Sequence, residues 1–71
     1  MDGNRIGLIR KARHISQLRM STDLNLSQNS ISRYENGERE ADYATLIRIA
    51  DYLNVSIDYL LGRTENPEVN R

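Results

Sequence analysis

Residues 16–37, SQLRMSTDLNLSQNSISRYENG, read as two short helices around a tight corner at residues 25–27. Ser16 is a good N-cap for the first of them, and Met20, Leu24 and Ser21 fall on its inward side. Asn25 sits at its C-terminal corner, where asparagine tolerates the left-handed backbone such corners need. Leu26 plugs the corner, and Ser27 caps the next helix, which stops at Asn36-Gly37. On that helix Ile31 points inward, leaving Gln28, Asn29, Ser32 and Arg33 together on the outside. A helix that buries one side leaves the other free to serve a partner. These four side chains are long or hydroxylic hydrogen-bonders with no carboxylate among them. Such a set suits the edges of DNA bases and the phosphates beside them.

Outward from this segment the pattern stays helical. Ile6, Ile9 and Ala12 recur at helical spacing and predict a first helix from about Asn4 to Arg13. His14 falls where that helix stops, and Ile15 turns back toward the core. After a polar connection at residues 37–42, Asp42 caps a fourth helix. Its broad apolar face is Tyr43, Leu46, Ile47, Ile49, Ala50 and Leu53. Asn54-Val55 makes another corner, and Ser56 caps a short fifth helix through Ile57, Leu60 and Leu61 to Gly62. No strand alternation and no internal repeat appears, so the fold class is all-α, with residues 1–63 as one domain of five helices. Residues 64–71 hold the single proline and read as a polar tail or linker.

Size and composition narrow the classes further. With 71 residues the chain makes one small domain, whose stability rests on close helix packing or on dimerisation. The lack of cysteine excludes a disulfide framework and a thiolate metal site, and it fits a reducing cytoplasm. One histidine, His14, makes no metal site, so neither metal nor cofactor is expected. No apolar run approaches a membrane span, and the polar start MDGNR is unlike a secretory signal. An enzyme is not expected either: the acids fall in loops and exposed helix turns, and there is little room for a substrate-burying pocket. The formal charge is zero but unevenly spread. From Arg5 to Arg33 six cations face Asp23 alone, whereas from Tyr34 onward four arginines face eight carboxylates. That asymmetry predicts one basic surface for an anion and an acidic remainder.

Four motifs carry a family resemblance: Ile15-Ser16-Gln17, Leu24-Asn25-Leu26-Ser27, Ile31-Ser32-Arg33-Tyr34-Glu35-Asn36-Gly37, and Leu46 through Leu61 ending IADYLNVSIDYLLG. In this order and spacing they resemble the Cro/C1-type helix-turn-helix family, the phage-repressor-like or XRE-like DNA-binding domains of bacteria and their viruses. The likeness covers about Asn4 to Arg63. It implies a compact bundle of five helices of the lambda-repressor-like type, in which the second and third helices form the DNA-binding unit. It further implies that the third helix docks in the major groove, commonly as a homodimer on a pseudo-palindromic double-stranded operator. A bacterial or phage-encoded, nucleoid-associated protein of the cytoplasm is the implied setting. The chain departs from the common pattern at Ser21 (often Ala), Asn25 (often Gly), Leu18 and Arg19 (often acidic) and Glu38 (often basic).

Residue roles follow from side-chain chemistry and from the resemblance together. Gln28 can donate and accept in one plane, matching adenine in the major groove, and Asn29 can do the same over a shorter reach or meet a phosphate. Ser32 allows close approach and can bond base or backbone, while Arg33 can fork onto guanine or clamp a phosphate. The resemblance makes Gln17 a phosphate contact, and the free amides and positive dipole end at the start of its helix would attract an anion there. Arg19 opposes that dipole, a conflict that a phosphate would relieve. Asn36 and Arg39, beyond the third helix, are further phosphate candidates. The family pairs the positions of Arg10 and Glu35, which are assigned here to a structural ion pair; Arg10 can also reach a phosphate. Tyr34 is read as packing. The rival reading is a protein-interaction module on the same fold, antitoxin-like or an adaptor. It would use exposed Leu8 and Leu18 or an edge of Tyr52, Val55, Ile57 and Tyr59. A wholly polar, acid-free outer face on the third helix favours DNA.

Overall fold

Five helices occur among the described residues, 4–68, of the computed structural model: α1 (Ile6–Ala12), α2 (Gln17–Leu24), α3 (Gln28–Glu35), α4 (Tyr43–Leu53) and α5 (Ile57–Leu60). Each of the last four starts on a side-chain cap. Ser16 Oγ accepts the Arg19 N–H and Ser27 Oγ the Ser30 N–H, both at 3.0 Å. Asp42 Oδ1 accepts the Thr45 N–H at 2.9 Å and Ser56 Oγ the Tyr59 N–H at 3.0 Å. Each cap satisfies one of the amides that a helix start leaves open.

All five helices stop by one device. A residue with positive φ follows the last turn: His14 (58°), Asn25 (54°), Gly37 (73°), Asn54 (59°) and Gly62 (78°). The next amide then reaches back five residues, as from Ile15 to Arg10 O (3.1 Å), Leu26 to Ser21 O (2.9 Å) and Val55 to Ala50 O (3.0 Å). This is the Schellman arrangement, which also turns an apolar residue back onto the helix it ends. Ile15 and Leu26 accordingly pack on the core, and Val55 is sealed within it. Val55 thus offers no exposed edge, contrary to expectation, because the α4 stop folds it inward.

The core is built from Ile6 and Ile9 of α1, Met20 and Leu24 of α2, Ile31 and Tyr34 of α3, and Ile49, Ala50 and Leu53 of α4, closed by Val55 and Leu60. Three residues of the expected apolar pattern lie open. Ala12 is exposed because the inward stripe of α1 is Ile6, Ile9 and Arg10; Arg13, exposed just past the helix, donates from Nε to Leu53 O at 2.8 Å. Tyr43 and Ile47 are 72% and 38% exposed, since the short α5 leaves that flank of α4 as an open groove. Arg48 reaches the Leu24 carbonyl in the same manner as Arg13 reaches Leu53. Two guanidinium groups therefore cap the C-terminal ends of neighbouring helices, where carbonyls and dipole favour a cation.

The described part of the polar tail folds back on the bundle. Arg5 donates to Thr64 O (3.0 Å) and Glu65 (2.8 Å) and stacks over Tyr59 at 4.4 Å. The Ser56 N–H bonds Pro67 O at 3.0 Å. Residues 69–71 of the expected tail lie outside the described residues. No helix among the described residues is long and apolar enough to cross a membrane.

Candidate nucleic-acid interface

Helix α3 is held from within and bare outside. Ile31 is fully buried and Tyr34 nearly so, which fixes the rotation of the helix about its axis. Gln28, Asn29 and Arg33 consequently face solvent, with Ser32 half-buried between them. Among the described residues no other group engages the side chains of Gln28, Asn29 or Arg33. The helix has eight residues, about 12 Å at the usual rise, a length that fits across one major groove.

The angle between α2 and α3 is set at a buried junction of three helices. Arg10 Nε meets Glu35 Oε2 at 2.6 Å and Arg10 Nη2 meets Glu35 Oε1 at 3.2 Å, with both side chains 8% exposed. Arg10 Nη1 donates to Ile15 O at 2.7 Å, which ties the α1–α2 corner to the same group. The expected ion pair is present, and the Arg10 guanidinium is buried with Nε, Nη1 and Nη2 all bonded inside the protein. Gly7 lets α1 approach this junction, because a Cβ there would lie 3.0 Å from Glu35 Oε1.

Gln17 stands at the start of α2, half-buried, with Nε2 donating to Glu35 Oε1 at 3.1 Å. Ser16 takes the Arg19 amide, so the amides of Gln17 and Leu18 remain at the open end of the helix. The conflict of Arg19 with the dipole is met inside the protein: its Nε contacts Asp23 at 3.3 Å. The Tyr52 hydroxyl donates to the same carboxylate at 2.6 Å. That hydroxyl, helped by Arg19, holds Asp23 below the usual carboxylate range, and Asp23 in turn pushes the Tyr52 phenol up. Beyond α3, Asn36 and Arg39 are exposed, and Arg39 lies over the Tyr34 ring at 5.6 Å.

The basic surface predicted from the charge count is smaller than the count suggests. Arg5 pairs with Glu65, Arg10 with Glu35 and Arg19 with Asp23, while Arg13 caps α4. Lys11, Arg33 and Arg39 remain as exposed cations that neither pair with a carboxylate nor cap a helix end among the described residues. The Gln17–Glu35 and Tyr52–Asp23 bonds were not foreseen from the sequence. For Arg13 a signal existed, since it lies seven residues, about two helical turns, after Ile6. No group of three or more His, Cys, Asp or Glu side chains converges among the described residues to hold a metal ion.

The arrangement defines a class. The chain belongs to the helix-turn-helix family, of the Cro/C1 type, and the family match runs over residues 6–60, from the start of α1 to the end of α5. An uncharacterized HTH-type transcriptional regulator of Bacillus subtilis strain 168, YqaE, is 42% identical over 60 residues, covering 84% of this chain and 52% of YqaE. The HTH-type transcriptional regulator ImmR of the same organism is 35% identical over 68 residues, 96% of this chain and 54% of ImmR. The cryptic phage CTXphi transcriptional repressor RstR of Vibrio cholerae serotype O1 is 39% identical over 59 residues, 83% of this chain and 53% of RstR. The chain thus spans about half the length of these relatives. No solved structure matches it significantly.

Proposed function

We propose that the chain binds double-stranded DNA as the sequence-reading domain of a transcriptional regulator, acting as a repressor. The observation that carries this reading is the exposed face of α3, polar and acid-free, on a helix whose opposite face is sealed. Gln28 and Asn29 would read base edges from the first turn of the helix, and Ser32 and Arg33 would read or anchor one turn later. Gln17 with the open amides of α2, Arg19, Asn36 and Arg39 would hold phosphates on either side. The similarity to ImmR and RstR supports regulation, and RstR in particular supports repression. The protein acts by occupying DNA, in the bacterial cytoplasm where that DNA lies, and not by catalysis.

The dimensions of the domain bear on stoichiometry. Half-sites read by this motif lie about 34 Å apart, whereas the longest extent of the domain is 27 Å. One copy therefore covers one half-site, and a pseudo-palindromic operator takes a homodimer. The groove between α4 and α5, lined by Tyr43, Ile47, Ile57 and Leu61, supports α5 and the residues after it as the dimer contact. In this reading residues 1–63 are the DNA-binding domain and 64–71 a tail or linker. Selection of bound duplexes from a random library tests the proposal: enrichment of a two-fold repeat spaced by one helical turn is expected. Recovery of unenriched sequence would count against it.

A further inference from the structure

Glu35 does more than close the bundle: we infer that it is a positioning residue for phosphate binding, acting through Gln17. The inference rests on the DNA reading above. The last residue of α3, an arginine of α1 and the first residue of α2 meet at one carboxylate. Glu35 Oε1 accepts from Gln17 Nε2 at 3.1 Å while Arg10 holds both carboxylate oxygens, at 2.6 and 3.2 Å. An unrestrained glutamine samples many rotamers and loses that freedom on gripping a phosphate. Here the loss is already met in the folded protein, because one Nε2 hydrogen is fixed on Glu35 and the amide is held by the bundle. The second Nε2 hydrogen is left for the phosphate, beside the open amides of α2.

A carboxylate so near an anion site would ordinarily repel the ligand. The Arg10 guanidinium cancels that charge at bonding distance, so Glu35 serves as an acceptor without acting as a net negative neighbour. One buried pair thus sets two things at once: the angle between α2 and α3, and the direction of the amide that meets the backbone of the duplex. Binding energy gained by such preorganisation appears as affinity common to all sequences, since phosphates carry no sequence information.

The test separates the acceptor from the ion pair. Arg10→Met with Glu35→Gln keeps a carbonyl acceptor for Gln17, whereas Arg10→Met with Glu35→Met removes it, and both lack the buried charges. Affinity is read by fluorescence anisotropy on a 20-base-pair duplex of arbitrary sequence at low salt, at a temperature where both variants are folded. The acceptor-bearing variant should bind about fivefold tighter than the other, a coupling ordinary for residues in one network. In a Gln17→Ala background that difference should vanish. No difference with Gln17 present, or an undiminished one in the Gln17→Ala background, would overturn the inference. A second measurement needs no variant: in the free protein the Gln17 side-chain amide should be ordered by NMR relaxation and that of Gln28 mobile. Equal mobility would overturn the inference whether or not DNA is bound. Failure of the wild-type protein to bind any duplex would instead remove the DNA reading, and the phosphate role with it.

Discussion

The two ends of α3 follow opposite rules. At the C-terminal end Glu35 and Arg10 are sealed, and three helices are tied to one carboxylate. At the N-terminal end Gln28 and Asn29 stand in solvent, engaged by nothing else among the described residues. A buried polar group costs free energy unless it is bonded, so the first end must be complete before anything binds. The second end must stay incomplete, because its unmet hydrogen-bonding capacity is what a base edge would fill. Arginine is divided in the same way: Arg10, Arg13 and Arg48 serve the architecture, while Arg33 and Arg39 are presented outward. Counting cations along the chain therefore measures the binding surface poorly.

The sharpest way to break this contrast is at the sealed end. Arg10→Ala leaves Glu35 buried and uncompensated, and it should cost about 3–5 kcal/mol by urea denaturation, enough to unfold much of a domain this small. Adding Glu35→Leu should recover most of that loss, because no stranded charge remains. An Arg10→Ala midpoint close to wild type would show that the junction does not hold the bundle. At the open end the order reverses: Arg33→Ala should leave the unfolding free energy within about 0.5 kcal/mol of wild type. Its operator affinity should nevertheless fall by about 1–3 kcal/mol if the guanidinium reads a base. A joint loss of stability and binding would mean that Arg33 is not the free side chain the structure presents.

Smaller effects refine the boundary between the two regions. Ser27→Ala removes the cap of α3 and should cost about 1 kcal/mol of stability by thermal denaturation. Acid should act on the carboxylates that cap a helix or bond at the surface. The Thr45 side chain and amide hold Asp42 below its usual 3.8, and the Tyr52 hydroxyl does the same for Asp23. For a depressed carboxylate the stabilisation is complete above the unfolded value and is lost as pH falls through the folded one. The melting temperature should thus decline below about pH 4, and Asp42→Asn should flatten the decline. Parallel pH profiles for the two proteins would show that Asp42 contributes nothing to it.

Much of this was legible along the chain because helix starts and stops are local chemistry. Ser16, Ser27, Asp42 and Ser56 cap as their types suggest, Asn25 takes the left-handed corner expected of it, and Gly37, Asn54 and Gly62 take the same backbone where a stop or corner was expected. Burial at the margins was less legible. Tyr43 and Ile47 lie on an apolar pattern, but what covers such a pattern depends on the length of a distant neighbour, here α5. Long-range polar partners were the least accessible. Nothing near Gln17 announces Glu35, eighteen positions away, and nothing near Asp23 announces Tyr52. The outer face of α3 was readable because it is defined by what does not pack, and Ile31 and Tyr34 fix that by periodicity alone.

In the function proposed above, this face discriminates between sequences while the rest of the domain holds it in place. Titrating Gln28→Ala and wild-type protein against a selected operator and a scrambled duplex of equal length tests it most directly. The variant should lose operator affinity while keeping its affinity for the scrambled duplex. Equal losses on both duplexes, or no loss on either, would contradict it.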